Sequence, residues 1–466
     1  MICRRKMLQA LGALTLISSN KSVAQEVTGT EIFDVVVIGA GGAGLAAALS
    51  AAQNGCSVVV LEKADFIGGD TLISGGYFNV ADSRSTTGDT PQKHAKEMLD
   101  VGGGHNDPAL VATFTQSTSE TIEWLKKQGM QFLPGARAIY GGGYARAHKP
   151  TEARGRGYIR VLSEACLKNG VQIRTKTQAE ELLTDEKKRV IGVSAVEKNV
   201  QKNFSARRAV VVATGGFGAS KEMLKEYAPE LVDYPTDTLP TATGDGHRML
   251  EKVGAKLVNM HLVECVTGSP GQQQHPVRLD YSPDRVLLIN REARRFIDEQ
   301  SSRMAISRAI LRQPDDLVWA VTDQETVDMY DELTKKHIYQ GLHAGVVYRA
   351  ETIETLAQRI GVSAKNLKQT VNVYVQEKPA TPMKFVPKNA PFWAVRVVLH
   401  IHTTLGGVAI DTAARCLGVN GKPIEGLFAA GEIVGNLHGE NRLGGNGVAS
   451  TMVFGRIAGI NAAKNF

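Results

Sequence analysis

Three glycines with the spacing of a dinucleotide-binding turn, Gly39, Gly41 and Gly44, stand between an apolar run and an alanine-rich run. A strand, a G-x-G-x-x-G turn and a helix in this order let backbone N–H groups approach a pyrophosphate, whose charge the helix N-terminus stabilises. Glu62 ends a second apolar run about 20 residues further on, where a carboxylate can bind ribose hydroxyls. The alternative is a glycine-rich turn in an ordinary α/β protein. Because all five features occur in order, the sequence favours dinucleotide binding.

Two further segments have residues suited to ligand binding. Residues 67–76 contain paired glycines around small polar residues, a pattern typical of backbone packed against a ligand or of a surface loop. Residues 140–157 are rich in glycine and in basic side chains, namely Arg146, His148, Arg154 and Arg156. We expect the second segment to form an ordered loop over the ligand, and a solvated surface is the alternative.

The elements that position these residues alternate between strands and helices. Asp107 and Pro108 predict the start of a long helix that ends near Gly129, because Asp is a good N-cap and Pro suits the first turn. Residues 209–218 form a further apolar strand that ends in small residues and glycines. This strand predicts a second close approach of the backbone to the dinucleotide, and residues 243–247 open the helix that follows.

The pattern changes in the second half of the chain. Charged helices are predicted at 299–312 and 363–377, and the glycine-rich pattern then returns before a final helix to about Ala463. We therefore predict an α/β fold in which a discontinuous Rossmann-like domain, at 25–258 and 403–466, holds an inserted α+β cap domain at 259–402.

Residues 1–24 are predicted to be a targeting segment. Arg4, Arg5 and Lys6 resemble a twin-arginine signal, an apolar run follows, and Ser22-Val23-Ala24 is a small-residue cleavage site. The apolar run is too short to span a bilayer, so no membrane span is expected in the mature chain. Twin-arginine export delivers folded proteins to the periplasm, which suits a protein that carries a cofactor. A signal peptide of the general export type is the alternative.

Charge and cysteine usage exclude some classes of function. The formal charge of +7 falls to +3 once the four basic residues of 1–24 are removed. No basic stripe with interleaved aromatic residues is present, so nucleic-acid binding is not expected. Without a C-x-x-C or C-x-x-C-H pattern, neither a c-type haem nor a cysteine-ligated metal site is predicted. Apart from Cys3 in the targeting segment, the scattered cysteines are Cys56, Cys166, Cys265 and Cys416.

Five motifs in this order resemble the flavoprotein family of soluble fumarate reductases of the flavocytochrome c type and of succinate dehydrogenases, which includes reductases of urocanate and methacrylate. The motifs cover nearly the whole mature chain. They are the G-x-G-x-x-G strand, Glu62-Lys63 with Gly68-Gly69-Asp70-Thr71, Ala213-Thr214-Gly215-Gly216-Phe217, Ala430-Gly431-Glu432, and Asn441-Arg442-Leu443-Gly444-Gly445-Asn446.

This resemblance implies FAD, with its adenosine on the first glycine turn and its ribityl chain near Glu432. Membrane-bound relatives link the flavin covalently to a histidine just before the position of Thr71. Asp70 occupies that place here, so we expect FAD to be bound non-covalently. The cofactor-binding residues that follow from the motifs are Gly39, Gly41, Gly42, Ala43, Gly44, Glu62, Lys63, Gly69, Asp70, Thr71, Gly75, Gly76, Ala213, Thr214, Gly215, Asp245, Gly431, Glu432 and Asn446.

The resemblance also implies a reaction and three catalytic residues. Reduction of a C=C bond conjugated to a carboxylate needs a hydride from flavin N5, a proton, and positive groups that stabilise the developing charge. Arg442 matches the family arginine that binds a substrate carboxylate, and His402 matches its histidine partner. Arg303 matches the arginine that delivers the proton. From the residues alone, Arg303 would be a helix-face arginine paired with Glu299 at i−4.

The sequence departs from fumarate-specific members of the family at the other end of the substrate site. The stretch that carries His-Pro-Thr in those enzymes is Leu262–Thr267 here, and the proton-relay motif is replaced by residues 277–285. Asp280 lies close to the position at which urocanate reductases bind imidazole, and Glu264 could play the same part. We therefore expect an unsaturated acid with one carboxylate and a different far end, such as urocanate, acrylate, methacrylate or an aryl-acrylate. Fumarate itself remains the alternative.

Other functions compete with this hypothesis. A ketosteroid Δ1-dehydrogenase shares the flavin fold but depends on tyrosines, and an aspartate oxidase is cytoplasmic, whereas export suits anaerobic respiration. A non-catalytic electron carrier would be smaller and have no cap. Because the chain has no haem motif, we expect a separate c-type cytochrome to donate the electrons.

Overall fold

The helices of this protein pack around two larger β-sheets. The computed structural model describes residues 29–81, 88–139, 142–271, 276–281, 283–377 and 390–464. The predicted targeting segment, 1–24, lies outside the described residues. The strands of the described residues are β1 Thr30–Ile38, β2 Val58–Leu61, β3 Phe78–Asn79, β4 Ala147–His148, β5 Gln172–Arg174, β6 Thr177–Thr184, β7 Val190–Glu197, β8 Val200–Val212, β9 Leu257–Val258, β10 Val263–Gly268, β11 Leu287–Ile289, β12 Val318–Asp323, β13 Val347–Ala350, β14 Phe392–Thr404, β15 Gly407–Val408, β16 Arg415–Leu417 and β17 Pro423–Ala429.

The helices cover both sheets and include the long helix predicted after Asp107. The α-helices of the described residues are α1 Gly42–Gln53, α2 Gly69–Ile73, α3 Pro91–Val101, α4 Pro108–Lys127, α5 Arg156–Lys168, α6 Lys221–Tyr227, α7 Asp245–Lys252, α8 Arg303–Leu311, α9 Gln324–Met329, α10 Glu332–His343, α11 Ile353–Ile360, α12 Ala364–Glu377 and α13 Asn446–Lys464. In this part of the chain we find no helix with the length and apolar character of a membrane span.

The larger sheet forms around β1. Its strand order is β16-β17-β8-β1-β2-β5, and β7 and β6 extend it from β8. β1 runs parallel to β2 and β8, and β17 runs parallel to β8. Val35, Val36 and Val37 are fully buried, as a central strand of a parallel sheet requires. The predicted α/β fold is therefore confirmed, and the late strand β17 completes the sheet that β1 begins. The domain boundaries after residues 258 and 402 stay a prediction.

Helices α1 and α13 pack against each other through small residues. A Cβ atom added at Gly459 would lie 2.1 Å from the carbonyl oxygen of Ala47. One added at Gly455 would lie 2.6 Å from the carbonyl oxygen of Ala43. Since real side chains do not approach a backbone oxygen so closely, both positions require glycine. The last helix thereby supports the helix that begins at the glycine turn.

The second sheet is antiparallel and has the order β10-β14-β12-β11, with β13 also paired to β14. β14 therefore organises this sheet, and its last residue, Thr404, reaches the glycine-rich segments of the larger sheet. Between β10 and β14, Glu264 pairs with Thr403 but Cys265 pairs with Ile401. His402 is thus an extra residue in the ladder, a β-bulge of the kind that redirects a side chain.

Helix α8 begins later than its sequence predicts, at Arg303 instead of residue 299. Ser302 caps the helix by accepting a hydrogen bond from the backbone N–H of Ala305. The carboxylate of Glu299 faces inward, where it accepts hydrogen bonds from Arg295 at 2.7 Å and from the N–H of Leu288 at 2.9 Å. Glu299 is therefore not available to start the helix, because it ties the segment before α8 to β11.

Candidate active site

A cavity of about 960 Å³ lies between the glycine turn after β1 and the residues at the end of β14 and the start of α8. The wall on the side of the larger sheet contains almost all of the predicted cofactor-binding residues. They are Gly39, Gly41, Gly42, Ala43, Glu62, Lys63, Gly69, Asp70, Thr71, Gly75, Gly76, Ala213, Thr214, Gly215, Asp245, Gly431 and Glu432.

Two predicted cofactor residues, Gly44 and Asn446, do not line this cavity. A Cβ atom at Gly44 would lie 1.8 Å from the carbonyl oxygen of Gly39, so this glycine allows the turn to close onto α1. Asn446 is fully buried, and its Oδ1 atom accepts a hydrogen bond from Asn79 at 2.8 Å and lies 2.9 Å from Nε2 of His94. The structure thus gives both residues a supporting position behind the cavity wall.

Glu62 and Lys63 are held in place by neighbouring groups. The two carboxylate oxygens of Glu62 accept hydrogen bonds from the N–H groups of Ala40 at 2.8 Å and Ala64 at 2.9 Å. Each oxygen keeps a second lone pair, so the carboxylate can still accept ribose hydroxyls. Lys63 forms an ion pair with Asp245 at 2.7 Å. These contacts fix the acidic end of β2 at the cavity wall.

The residues of this wall fit a dinucleotide such as FAD. At the start of α1 the N–H of Gly42 donates to Oγ1 of Thr71 at 3.2 Å, and a Cβ atom at Gly42 would lie 2.8 Å from the same oxygen, so the close packing requires glycine. Among the described residues, Oγ1 of Thr214 has no hydrogen-bond partner although it lines the cavity. A buried hydroxyl needs a partner, and a bound cofactor would supply one. The fit therefore rests on the glycines and on this hydroxyl.

Asp70 and Glu432 share one part of the wall. Burial and, second, the nearby Glu432 raise the pKa of Asp70 to about 7, although the N–H of Leu239 donates a hydrogen bond to its Oδ1 atom at 2.7 Å. Burial also raises the pKa of Glu432, whose Oε1 atom accepts a hydrogen bond from the N–H of Thr404 at 2.9 Å. The two carboxyl groups therefore hold protons more readily than exposed acids do.

On the other side of the cavity, Arg303 and Arg442 converge on Glu264. Oε1 of Glu264 accepts hydrogen bonds from Arg303 at 2.8 Å and from the Arg442 guanidinium at 3.0 Å, and Oε2 accepts the Arg442 backbone N–H at 3.0 Å. Both arginines line the cavity, whereas Glu264 is fully buried and does not. Burial alone would raise the pKa of Glu264, but the positive charges of Arg442 and Arg303 lower it to about 2.

His402 completes this group of positive residues. Its Nδ1 atom lies 2.9 Å from Oδ2 of Asp237, and the imidazole lines the cavity. The carboxylate of Asp237 orients the ring. The bulge at residue 402 places this side chain beside Arg442 and Glu432 without interrupting the pairing of β14 on either side. The structure therefore brings Arg303, His402 and Arg442 together at one end of the cavity.

The pairing of Arg303 with Glu299, expected from helical spacing alone, is wrong. Glu299 pairs with Arg295, and Arg303 pairs with Glu264. The reason is that Arg303 is the first residue of α8, so Glu299 lies outside the helix. Its side chain is therefore not one helical turn away from Arg303.

The opposite end of the cavity combines apolar and aromatic residues with the basic side chains of Arg154 and Arg278. From β10 the cavity is lined by Val266, and Pro276, Tyr281 and Tyr330 continue the wall. The rings of Tyr281 and Tyr330 form an edge-to-face pair with centroids 5.6 Å apart. Val266 lies two positions after Glu264 along β10, which is about 7 Å of strand. The apolar wall is thus about one small acid away from the arginines.

Asp280 lies beneath this far wall and does not line the cavity. It accepts a hydrogen bond from Thr267 and pairs with Arg278 at 2.9 Å, and Arg278 does line the cavity. Asp280 thus holds Arg278 at the cavity surface by an ion pair, and Glu264 holds Arg303 and Arg442 there in the same way. In neither case does the structure bring the predicted substrate-binding carboxylate itself to the cavity surface.

The basic loop divides between two roles. Arg146 is only 2% exposed and pairs with Asp89 and Glu97, each at 2.8 Å. Arg154 lines the cavity, and its backbone has a φ of 63°. The expected loop over the ligand is therefore present at Arg154, whereas Arg146 is part of a buried ion-pair network. Residues 140 and 141 lie outside the described part of the loop.

Sequence reasoning missed three residues of this site. Asp237 holds His402 but lies in a short Thr-Asp-Thr stretch without a recognisable pattern. Tyr281 and Tyr330 line the far wall from segments that are distant in sequence. Of these three residues, only Tyr281 could have been found from the sequence, because it lies beside Asp280 in the segment that replaces the proton-relay motif.

The FAD binding domain family matches residues 34–448 of the chain. A probable fumarate reductase, Ifc3, of Shewanella frigidimarina is 33% identical over 450 residues, which is 94% of this chain and 76% of that protein. A urocanate reductase of Eggerthella lenta is 35% identical, over 95% of this chain and 77% of its own length. An NADH:acrylate oxidoreductase of Vibrio harveyi is 32% identical over 93% of this chain, which spans only 50% of that relative.

A solved structure shows the same relationship. The open conformation of a flavocytochrome c3 fumarate reductase superposes with a TM-score of 0.77 at 32% identity. The match covers 93% of this chain and 78% of that one. The similarity therefore extends through both sheets and the cavity between them.

Proposed function

The chain belongs to the FAD binding domain family and is an FAD-dependent oxidoreductase that acts on C=C bonds, and we propose that it reduces an α,β-unsaturated carboxylate other than fumarate. The observation that carries this proposal is the arrangement of the cavity. Arg303, His402 and Arg442 meet at one end, and the other end is apolar and aromatic apart from Arg154 and from Arg278, whose charge is paired with Asp280. Such a cavity is suited to a molecule with one carboxylate and an apolar or flat remainder.

The positive residues have separate tasks in this reaction. Arg442 and His402 bind the carboxylate and stabilise the enolate-like charge that develops on it. Arg303 donates a proton to one carbon of the double bond. FAD, when bound, supplies the hydride for the other carbon. After the hydride and the proton have been added, the C=C bond is a CH–CH bond, and the carboxylate of the product is the same as that of the substrate.

The surroundings of Arg303 support its assignment as proton donor. An arginine in water has a pKa above about 12 and is a poor acid, so it must be held against its acceptor. Arg303 is anchored by Glu264 at 2.8 Å and is 17% exposed, and its side chain lines the cavity. The proton that Arg303 donates must be replaced before the next turnover. The candidates for this relay are Asp280 or Asp284, together with Arg278 or Arg285.

The far wall supports a substrate that is not a dicarboxylate. Val266 lines the cavity from the stretch in which fumarate-specific enzymes have His-Pro-Thr. Met329, Tyr281 and Leu333 also line the cavity and are 59%, 47% and 46% exposed. An apolar lining binds a ring or alkyl group better than a second carboxylate. Urocanate, acrylate, methacrylate and aryl-acrylates fit this description, and fumarate is the remaining candidate.

Export and electron supply form the last part of the proposal. The twin-arginine pattern at Arg4 and Arg5 supports a periplasmic location. Because the sequence has no C-x-x-C-H pattern, a separate c-type cytochrome is the proposed electron donor in anaerobic respiration. We also propose that FAD is bound without a covalent link, because Asp70 stands at the attachment position.

The reaction can be tested with purified protein that contains FAD. The flavin is reduced anaerobically with dithionite, candidate acids are added one at a time, and flavin absorbance is followed. We expect rapid reoxidation by at least one mono-carboxylic enoate and slower reoxidation by fumarate. Failure of every unsaturated acid, together with flavin reduction by a 3-ketosteroid, would contradict the proposal.

The role of Arg303 can be tested by Arg303→Ala. We expect FAD to stay bound while kcat falls by about 10²–10⁴-fold, because the proton is transferred in the transition state. Arg308→Ala is the matched control, since Arg308 lies on the same helix and its side chain is 49% exposed. Near wild-type turnover by Arg303→Ala would show that the proton comes from another group.

A further inference from the structure

Glu264 is a carboxylate that the protein itself places against the two arginines that face the substrate. It is 0% exposed, and both of its oxygens accept hydrogen bonds, from Arg303 and from the side chain and backbone of Arg442. The arginines separate it from the cavity. It therefore meets the substrate only through these two residues, as a positioning residue.

The charges at this end of the cavity nearly cancel before any substrate binds. Arg303 and Arg442 carry two positive charges, and Glu264 and Asp237 carry two negative ones. His402 adds a positive charge only when it is protonated. With His402 protonated these groups sum to +1, so one substrate carboxylate brings the total to neutral, whereas two carboxylates leave an excess of negative charge.

On the basis of the function proposed above, we infer that Glu264 is an internal counter-ion. Its charge makes the site bind a singly charged acid in preference to a doubly charged one. An unwanted charge placed next to like charges in a low-dielectric site is disfavoured strongly enough to decide between two substrates of equal shape. The carboxylate also holds the two guanidinium groups beside each other at the cavity, because both donate to the same oxygen.

Fumarate and its monoamide form the matched pair that tests this inference, because they differ by one charge and hardly in shape. The saturated pair, succinate and succinamate, allows binding to the oxidised enzyme to be measured from the flavin difference spectrum without turnover. For the wild-type protein we expect the monoamide of each pair to be preferred by about tenfold or more in kcat/KM and in Kd. Equal or tighter binding of succinate by the wild-type protein would overturn the inference.

Glu264→Gln removes the charge and retains an acceptor oxygen for the arginines. We expect the preference to shift towards the doubly charged member by about tenfold or more, in Kd as well as in kcat/KM. Glu264→Asp retains the charge, and we expect it to keep the wild-type preference. Loss of binding to the same extent for both members of a pair in Glu264→Gln would mean that Glu264 has only a structural role.

Glu299→Gln is the control for loss of a buried glutamate. Glu299 is 1% exposed and pairs with Arg295, as Glu264 pairs with Arg303, but it does not line the cavity. Its substitution should lower stability without changing the preference between the two acids. Since the succinate and succinamate measurement needs no turnover, failure of the proposed reduction and failure of the counter-ion inference give different results.

Discussion

Asp237 is the residue through which the orientation of His402 can be tested. Its carboxylate accepts a hydrogen bond from Nδ1 of the imidazole at 2.9 Å, which leaves Nε2 to act on the substrate. In Asp237→Asn the ring loses its negative partner and its fixed orientation. We expect kcat/KM to fall by about 10²-fold with FAD retained, because a small misplacement of a binding group is costly.

The control for this change is Asp233→Asn, since Asp233 is exposed and lies on the same segment. The pH profile of kcat/KM should also change in Asp237→Asn, because the substitution removes a negative charge 2.9 Å from Nδ1 of His402. An unchanged profile and wild-type kcat/KM would show that Asp237 does not act through His402.

At the scale of residues, the side chains that line the cavity were more predictable from the sequence than the buried side chains that hold them in position. Arg303, His402 and Arg442 lie in motifs with a fixed order, and the structure brings all three to the cavity. The position of Glu264 could not be predicted, because it depends on how β10 meets α8 and the segment after Glu440. A carboxylate on a buried strand has no local pattern that names its partner.

Helix α3 and helix α13 are connected to the cavity wall by buried histidines. Burial lowers the pKa of His94 to about 3, and it has the same effect on His438, which lies 3.1 Å from the hydroxyl of Ser450. Both histidines are thus neutral in the folded protein but protonate near 6.5 when unfolded. The unfolded chain binds more protons between these values, so stability falls as pH drops below about 6.5.

We therefore predict that the melting temperature decreases steadily on acidification from about pH 6.5 towards pH 4. In His94→Gln, which can still donate a hydrogen bond to Asn446, the slope of unfolding free energy should lose about 1.4 kcal/mol per pH unit. Urea unfolding at several pH values measures this slope. The exposed His343→Gln serves as control, and an unchanged slope in His94→Gln would contradict the assignment of the proton to His94.

The elements themselves were largely predictable where capping signals are strong. Asp107 caps α4 through hydrogen bonds to the N–H groups of Ala109 and Leu110, as the Asp-Pro pair indicates. The start of α8 was predicted too early, because helical spacing does not reveal that Glu299 bonds to the neighbouring strand. Local pattern determines an element, but a competing tertiary contact can move its end.

At the scale of the whole molecule, the cysteines provide a test of how completely the two sheets are covered. Cys56, Cys166, Cys265 and Cys416 are all buried, and burial raises the pKa of each thiol, to about 12 for Cys166. We expect none of them to react with a disulfide reagent within minutes in the folded protein, and all of them to react in denaturant. The reaction is followed by absorbance.

Lys168→Cys is the control for this measurement, because Lys168 is exposed at the end of the helix that carries Cys166. That variant should show one rapidly reacting thiol. A rapidly reacting thiol in the protein without this substitution would mean that one of the two sheets is less well covered than the structure indicates.

The return of the chain to the larger sheet was predictable, because glycine-rich segments and short apolar runs occur at both ends of the sequence. β8 and β17 are separated by more than 200 residues and still pair in register, Val210 with Leu427 and Val212 with Ala429. The arrangement of the second sheet was not predictable, since the strands that pair around β14 have only three to six residues and leave weak patterns.

The extra residue that β14 carries at His402 also limits how this enzyme can be altered by insertion or deletion. Removing one residue between Ile401 and Thr403 would give a regular ladder with β10, with Thr403 still opposite Glu264, but would remove the bulge that directs the side chain of residue 402 to the cavity. The site would then lose the imidazole that pairs with Asp237. New substrate preferences are therefore accessible through exchange of side chains at constant strand length, whereas a deletion here would take away one of the three positive residues of the site.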